Sequence, residues 1–378
     1  LKILYFSPIY WDDLKQRPQH LAEELAKMPG VHITFVEPSI SILNSMVRQN
    51  SDYKKREQSV NDSLQIFRPS GSLRLPRSLE SLDIFHWNQW FEKRQLQDLV
   101  SSADIIWLGS PVFYPLIKQM NTKKIVFDRM DDYVFLTNNA LMKKLLKKWE
   151  LELLVKADLV ISTSNNLHKH SLKLSKQSYL VKNAVDTAIL NINVDSLVVS
   201  ELKRLKREGY YIFGYVGAID HWFDLEAVKA ITEFDNRFVV CIVGRNNLTY
   251  NFEQHRRMKY FQPVPKSEIG AIIEAFDVCL YPFLRNSYTI DTINPVKIYE
   301  YLSLNKVTLA VESEETRLLN QEGVYLYNSL EEIRKYLIDI DTLQPPFYDQ
   351  EQLENFVVIN DWKARAKTIM ELLLKELQ

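Results

Sequence analysis

The feature that most constrains the fold is a succession of short, almost wholly apolar runs, each followed by a stretch with helical spacing. In the first half the runs are 2–7 (KILYFS), 31–36 (VHITFV), 64–67, 104–108, 124–127 and 159–162, with helical patterns at 19–27, 91–101, 114–119 and 140–155. In the second half the runs are 211–216 (YIFGYV), 238–243 (FVVCIV), 258–261, 278–281 and 307–310, with helices at 225–234, 267–276, 295–304 and 330–337. Strands that are apolar throughout are buried on both faces, which implies parallel sheets covered by helices. Two such series predict an α/β chain of two doubly wound, Rossmann-like domains. The polar stretch 187–209 reads as the hinge, giving domains 1–186 and 187–359. The last segment, 360–377, has one apolar helical stripe through Trp362, Ala366, Ile369 and Leu373.

Composition removes several function classes. Nine glycines in 378 residues leave no GxGxxG and no GxxxxGK[ST], and there is no HExxH and no CxxC. No apolar run reaches the ~18 residues of a membrane span, and residues 1–5 lack a secretory-signal pattern. Cys241 and Cys279 lie in strand-like runs and read as buried reduced thiols of a cytoplasmic protein. The net charge of −1 is unevenly spread. Residues 1–180 hold 25 Lys and Arg against 19 Asp and Glu, whereas 181–378 hold 22 against 29. A basic first half suits an anionic acceptor or a membrane surface; nothing points to nucleic acid.

Ligands of open parallel sheets bind beyond the carboxyl ends of the strands. Asn294-Pro295 reads as an N-cap and first residue of a helix, whose free N–H groups and dipole suit a phosphate. Lys297, third in that helix by this reading, adds a full charge. Glu300 follows three residues on and suits ribose hydroxyls. Gly217 ends the first strand of the second half and lets backbone approach a phosphate; Arg245 ends the next and suits a diphosphate. Val264 follows the third. Each also has a plain reading: a surface Lys–Glu pair, a tight turn, a solvated arginine.

Taken together, GYVGAIDHWFDLEAV (214–228), SEIGAIIEAFDVCLYPF (267–283), NPVKIYEYLSLNKVTLA (294–310) and LVKNAVD (180–186) resemble the nucleotide-sugar domain of GT-B glycosyltransferases near family 4. QRPQHLAEELA (16–26), Trp11 and FDRMDDY (127–133) are similar to a bacterial surface-polysaccharide subgroup that includes teichuronic-acid and xanthan-type glucuronosyltransferases. The resemblance implies two domains facing across a cleft, with a C-terminal helix (360–378) crossing back to the first. It implies a nucleotide-sugar donor, expected to be UDP-linked, bound by Arg245, Lys297 and Glu300, with Gly217, Val264 and Asn294 as the further donor-site candidates that their positions give. It also implies a saccharide or lipid-linked saccharide acceptor on the first domain. The pattern departs from the group in two places. Thr292, beside Asp291, stands eight positions before Glu300 where retaining members carry a first Glu, and Asp220-His221 stand where a Lys follows the Gly turn.

Beyond the run 124–127, Asp128 and Asp131 are candidates for the general base that takes the acceptor's proton, with Asp132 beside them. Helix capping is the competing role for Asp131 and Asp132. Lys297, Arg245 and the helix dipole suffice for a leaving diphosphate, so no metal is expected; His168 and His170 are weak metal candidates. Arg17 and His20 are candidate acceptor contacts. Trp11, His86, Trp87 and Trp90 are candidates for stacking on sugars or for core packing. Lys143, Lys144, Lys147 and Lys148 make a basic amphipathic stretch suited to the inner face of a plasma membrane. Two other readings stay open: a nucleotide-sugar epimerase, and a non-catalytic carbohydrate- or partner-binding module on the same scaffold.

Overall fold

A computed structural model of the protein describes residues 1–41, 57–71, 87–285, 288–319 and 323–377. His86 lies outside the described residues, as do the side chains of Trp87 and Trp90. The strands are β1 (Lys2–Phe6), β2 (His32–Val36), β3 (Ile40–Ser41), β4 (Glu57–Asn61), β5 (Leu64–Phe67), β6 (Ser70–Gly71), β7 (Ile105–Leu108), β8 (Lys124–Arg129), β9 (Leu159–Ser162), β10 (Ser178–Leu180), β11 (Tyr211–Val216), β12 (Phe238–Val243), β13 (Met258–Phe261), β14 (Val278–Tyr281), β15 (Thr308–Val311) and β16 (Val324–Tyr327). Among the described residues they form an eight-stranded sheet, β10-β9-β8-β7-β1-β2-β5-β4, a six-stranded sheet, β13-β12-β11-β14-β15-β16, and a small β3-β6 ladder. In the large sheet only the β4–β5 pair is antiparallel; its polar sequence (EQSVN) and exposure hid β4 from the apolar pattern.

The chain divides into two compact units, 1–182 with 365–378, and 183–364. The boundary falls slightly earlier than the hinge read from sequence. That polar stretch is not a bare linker: it holds the helix Leu197–Arg207, capped by Ser196, whose hydroxyl accepts from the Val199 N–H at 3.2 Å. Val198, Val199, Leu202 and Leu205 pack on the face carrying Ile212 and Cys241. Burying four such side chains contributes about 2 kcal/mol each, which outweighs the polarity of the Lys and Arg residues between them. The closing segment is two helices, Gln350–Asn360 and Trp362–Glu376, broken at Asp361, whose carboxylate accepts from the Ala364 N–H at 2.6 Å. From Arg365 on, the second of these belongs to the first unit, where Tyr179 donates to Glu376 at 2.7 Å.

In the first unit, register places Phe35, Tyr5, Trp107 and Val126 side by side on one face. Their rings stack, Tyr5 on Phe35 at 5.6 Å and Tyr5 on Trp107 at 5.2 Å between centroids. The other face carries Phe6, Val36, Leu108 and Phe127 into a core with Leu153 and Leu154. The second unit has the doubly wound order in which the first and fourth strands, β11 and β14, are neighbours. The switch point, and therefore the expected ligand crevice, lies beyond their carboxyl ends. Cys241 and Cys279 are free and buried in β12 and β14, and burial pushes both thiols well up.

Candidate functional site

In the second unit, β11 runs into Gly217 at the switch point. Gly217 has φ +156, and a Cβ there would lie 2.2 Å from Lys297 Cε. Gly244, after β12, has φ +147, and a Cβ would lie 2.0 Å from the Gly217 carbonyl oxygen. Both positions therefore require glycine, and the two turns close on each other. Gly217 N–H donates to Val243 O at 2.8 Å, Ile219 N–H to Arg245 O at 2.8 Å, and Asn247 N–H to Ile219 O at 2.9 Å. Asp220 ties the two loops, accepting from Asn247 Nδ2 at 2.7 Å and from the His221 N–H at 2.7 Å.

The helix Val296–Ser303 begins beside this double turn. Lys297 is its second residue, not its third, and lies across Gly217 with Nζ 5.8 Å from the Tyr215 ring centroid. Its ammonium makes no hydrogen bond or ion pair among the described residues, and burial lowers its pKa from the usual lysine range. Arg245 is exposed on the neighbouring loop and likewise has no ion-pair or hydrogen-bond partner among the described residues. Lys297, glycine backbone and the N–H groups of a helix start thus meet at one place, with Arg245 on the adjoining loop, which is the chemistry of an anion site. Glu300, one turn along, is half-buried; burial raises its pKa while the Lys297 charge opposes the rise. The pair Asp186–Lys266, 2.5 Å apart, also acts on Glu300. Val264, half-buried, packs at the edge of the core beyond β13.

Asn294 does not cap that helix. Pro295 occupies the cap position, and the Asn294 side chain is buried and turned elsewhere. Its Oδ1 accepts from the Asn183 N–H at 2.8 Å, its Nδ2 donates to Glu315 at 3.0 Å, and its carbonyl accepts from Asn183 Nδ2 at 3.1 Å. Asn294 therefore fixes the approach to the helix rather than offering itself to a ligand. Asn183 and Glu315 carried no local signal in the sequence, because they lie 111 and 21 residues from Asn294. Thr292 is buried, and Asp291 accepts from the Glu314 N–H at 3.1 Å.

In the first unit, β8 extends through Arg129, so Asp128 lies inside the strand rather than beyond it. Its carboxylate is fully buried. It accepts from Arg17 Nε at 3.0 and 3.1 Å, pairs with Arg17 Nη2 at 2.9 Å, and accepts from the Tyr5 hydroxyl at 3.3 Å. Arg17 is also buried and donates to the Val181 and Lys182 carbonyls at 3.0 and 3.2 Å. His20 is buried on the same helix, Arg17–Ala26. These residues hold the sheet end together; the burial of Arg17 and His20 removes them as open acceptor contacts, and Asp128 has its lone pairs committed. Arg129, the next residue, is equally engaged, at 2.9 Å from Glu150 and 2.9 Å from Leu167 O. Arg68 pairs with Glu37 at 2.8 Å and Asp12 at 2.9 Å, and Glu37 accepts from the Trp11 N–H at 2.7 Å. Trp11 itself packs edge-on to Phe35 at 5.0 Å.

Asp131 differs from all of these. It is half-buried, and among the described residues it has neither a hydrogen bond nor an ion pair. Burial raises its pKa to about 6; the Arg17 charge opposes this, and the charges of Asp128 and Asp132 add to it. Asp132 instead closes a turn, accepting from the Phe135 N–H at 3.2 Å. Tyr133 donates to Gly109 O and fixes the segment beside β7. His168 contacts Ser178 at 3.1 Å, and no group of His, Cys, Asp and Glu able to hold a metal occurs among the described residues.

No family model matches the chain. It is 22% identical over 284 residues to a teichuronic acid biosynthesis glycosyltransferase of Bacillus subtilis, TuaH, covering 70% of each chain. Among solved structures it is similar to sucrose-phosphate synthase from Thermosynechococcus elongatus, with TM-score 0.71, 13% identity, and 99% of this chain and 98% of that one covered. It is similar to Anabaena HepE in complex with UDP-glucose, with TM-score 0.66, 14% identity and 99% of each chain covered. An Escherichia coli trehalose-6-phosphate protein bound with UDP-2-fluoro glucose gives TM-score 0.68 at 11% identity, with 99% of each chain covered. At these identities the likeness is one of fold: the chain has the two Rossmann-like domains of GT-B structures.

Proposed function

We propose that this chain is a glycosyltransferase that moves a sugar from a UDP-sugar to a saccharide hydroxyl in bacterial cell-surface polysaccharide synthesis. The observation that carries the reading is Lys297, packed across Gly217 at a helix start with an ammonium that neither a hydrogen bond nor an ion pair engages. HepE was solved with UDP-glucose, and the Bacillus subtilis relative is named as a glycosyltransferase of teichuronic acid biosynthesis; the first supports the donor and the second the role.

In this reading the second unit binds the donor. Lys297, Arg245 and the helix N–H groups meet the diphosphate charge, and Glu300 accepts from the ribose hydroxyls. The first unit supplies Asp131 as general base. Its raised pKa makes it a stronger base than an ordinary carboxylate, yet it is still ionised at neutral pH. The acceptor hydroxyl passes its proton to Asp131, its oxygen bonds to the anomeric carbon, and the bond from that carbon to the diphosphate breaks. UDP leaves with its charge held by the two cations. The residues account for this charge without a metal, and unchanged turnover in chelator is the matching expectation.

The test is UDP release from UDP-sugars with and without saccharide acceptors. Release that depends on an acceptor, with a new glycoside formed, supports the transferase. Conversion of the donor alone to an epimer, or donor binding without any turnover, overturns it.

A further inference from the structure

We propose that His221 is the general acid of the transfer: its Nε2–H gives a proton to the diphosphate oxygen as the sugar leaves, and Asp220 holds the ring for that step. The proposal rests on the transferase reading and deepens it, because it assigns the proton that the leaving group takes up.

The pair sits on the loop 217–224, which leaves β11 at the switch point of the second unit. Neighbouring loops hold this one from both sides. Beyond β12, Arg245 O accepts from the Ile219 N–H at 2.8 Å. Beyond β14, Leu284 N–H donates to Trp222 O at 2.7 Å, and Pro282 O accepts from the Asp224 N–H at 2.8 Å. The loop is therefore fixed at the carboxyl ends of three adjacent strands, where a ligand of such a sheet binds. Its first residue, Gly217, is the one against which Lys297 packs.

Asp220 is itself held in place. Its Oδ2 accepts from Asn247 Nδ2 at 2.7 Å, and its Oδ1 accepts from the His221 N–H at 2.7 Å and contacts the ring Nδ1 at 2.8 Å. The His221 N–H, together with the Asn247 amide and the imidazole, holds the Asp220 carboxyl below the usual carboxylate range, so it is ionised at neutral pH. A carboxylate only accepts, so the nitrogen facing it, Nδ1, carries a hydrogen in either charge state of the ring. Nε2 is left as the nitrogen that gains and loses a proton. It makes no hydrogen bond among the described residues, and the side chain is 76% exposed. Trp222 packs edge-on to the ring at 4.8 Å and orients it from a second side. The stretches packed against this loop, 244–251 and 282–285, carry Arg245 and Arg285 and no acid, so Asp220 is the carboxylate that serves His221. One ring nitrogen committed to a fixed carboxylate and the other open is the arrangement of an acid–base group.

As the bond from the anomeric carbon to the diphosphate breaks, its electron pair stays on the oxygen. The Nε2 proton passes to that oxygen, and the neutral imidazole regains a proton from water once UDP has left. The acceptor's proton goes separately to Asp131. Arg245 meets charge but does not release a proton, which is why a second kind of group has a place here.

Acceptor-dependent UDP release and UDP affinity would be measured across pH for the parent and for variants of the pair. The ring is exposed, so replacing it should leave the melting temperature parental. His221→Gln should lose roughly 10²- to 10⁴-fold in kcat, the range of general acid catalysis, with KM and UDP affinity parental. The parent's rate should fall on the alkaline side as the ring loses its proton, and that fall should be absent in His221→Gln. Imidazole added to His221→Ala should restore part of the rate. Asp220→Asn should keep the alkaline fall but move it to lower pH, because the imidazolium loses the charge that favours it. Parental kcat in His221→Gln overturns the proposal. So does a raised KM with kcat unchanged, which would make the residue a binding contact, and so does full recovery in His221→Lys, which would make it a contact of charge alone. The parent separates the two readings. If it transfers sugar and His221→Gln equals it, only the acid is lost; if it releases no UDP to any acceptor, the transferase reading falls and this assignment with it.

Discussion

The two units treat charge in opposite ways. In the first, three arginines near the carboxyl end of the sheet are matched: Arg17 with Asp128, Arg68 with Glu37 and Asp12, Arg129 with Glu150. In the second, Lys297 beside Gly217 and Arg245 on the adjoining loop make neither a hydrogen bond nor an ion pair among the described residues. A buried ion pair contributes little net stability but is costly to break from one side, so paired charges act as scaffold. A cation that makes neither a hydrogen bond nor an ion pair is open to a ligand of opposite sign. By the same criterion the group of interest in the first unit is Asp131, not its buried neighbour Asp128.

The sharpest way to break this contrast is to exchange the two aspartates' expected phenotypes. Asp131→Asn should cut turnover by roughly 10²- to 10⁴-fold, the usual range for a general base, while UDP affinity stays parental. The parent's rate should rise with pH through about 6 as Asp131 ionises, and that limb should vanish in the variant. The folded pKa lies above the unfolded one, so the parent's stability falls as pH rises from about 4 through about 6. A neutral Asn escapes that loss and should gain about 1 kcal/mol at pH 7 in urea titration. Equal turnover in variant and parent would remove Asp131 from the chemistry.

Asp128→Asn should act on stability instead. It leaves the Arg17 guanidinium buried without its counter-ion, and about 3–5 kcal/mol of unfolding free energy should go. A loss under 1 kcal/mol would mean that the pair is not scaffold. Gly217→Ala should lower UDP affinity about tenfold, because the new Cβ occupies the place of Lys297 Cε and the loss of one charge-assisted contact is of that size. The smallest effect expected is that of Glu300→Gln: a few-fold weaker binding of UDP, with inorganic diphosphate unaffected, if the carboxylate serves the ribose.

The alternation of strands and helices was legible because buried parallel strands must be apolar throughout, as in Phe238–Val243. β4 and the helix Leu197–Arg207 were not, because their polar residues dominate a short window. Gly217, Arg245, Lys297 and Glu300 lie where strand ends and helix starts predicted, since backbone geometry alone places them. What escaped was pairing at a distance. Nothing in FDRMDDY says that the strand runs on to Arg129, or that Arg17, 111 residues away, lies on Asp128. Asn294 was misread for the same reason: a good capping residue locally, it is claimed by Asn183 and Glu315 through long-range hydrogen bonds.

The most direct test of the central claim is a calorimetric titration of UDP into the parent chain and into Lys297→Ala. A charge-assisted hydrogen bond contributes about 1.5–3 kcal/mol, so the variant should bind roughly ten- to a hundredfold more weakly, with Asp131→Asn binding as the parent does. Equal affinity of parent and Lys297→Ala for UDP would contradict the account, because the ammonium that no hydrogen bond or ion pair engages would then have no part in holding the donor.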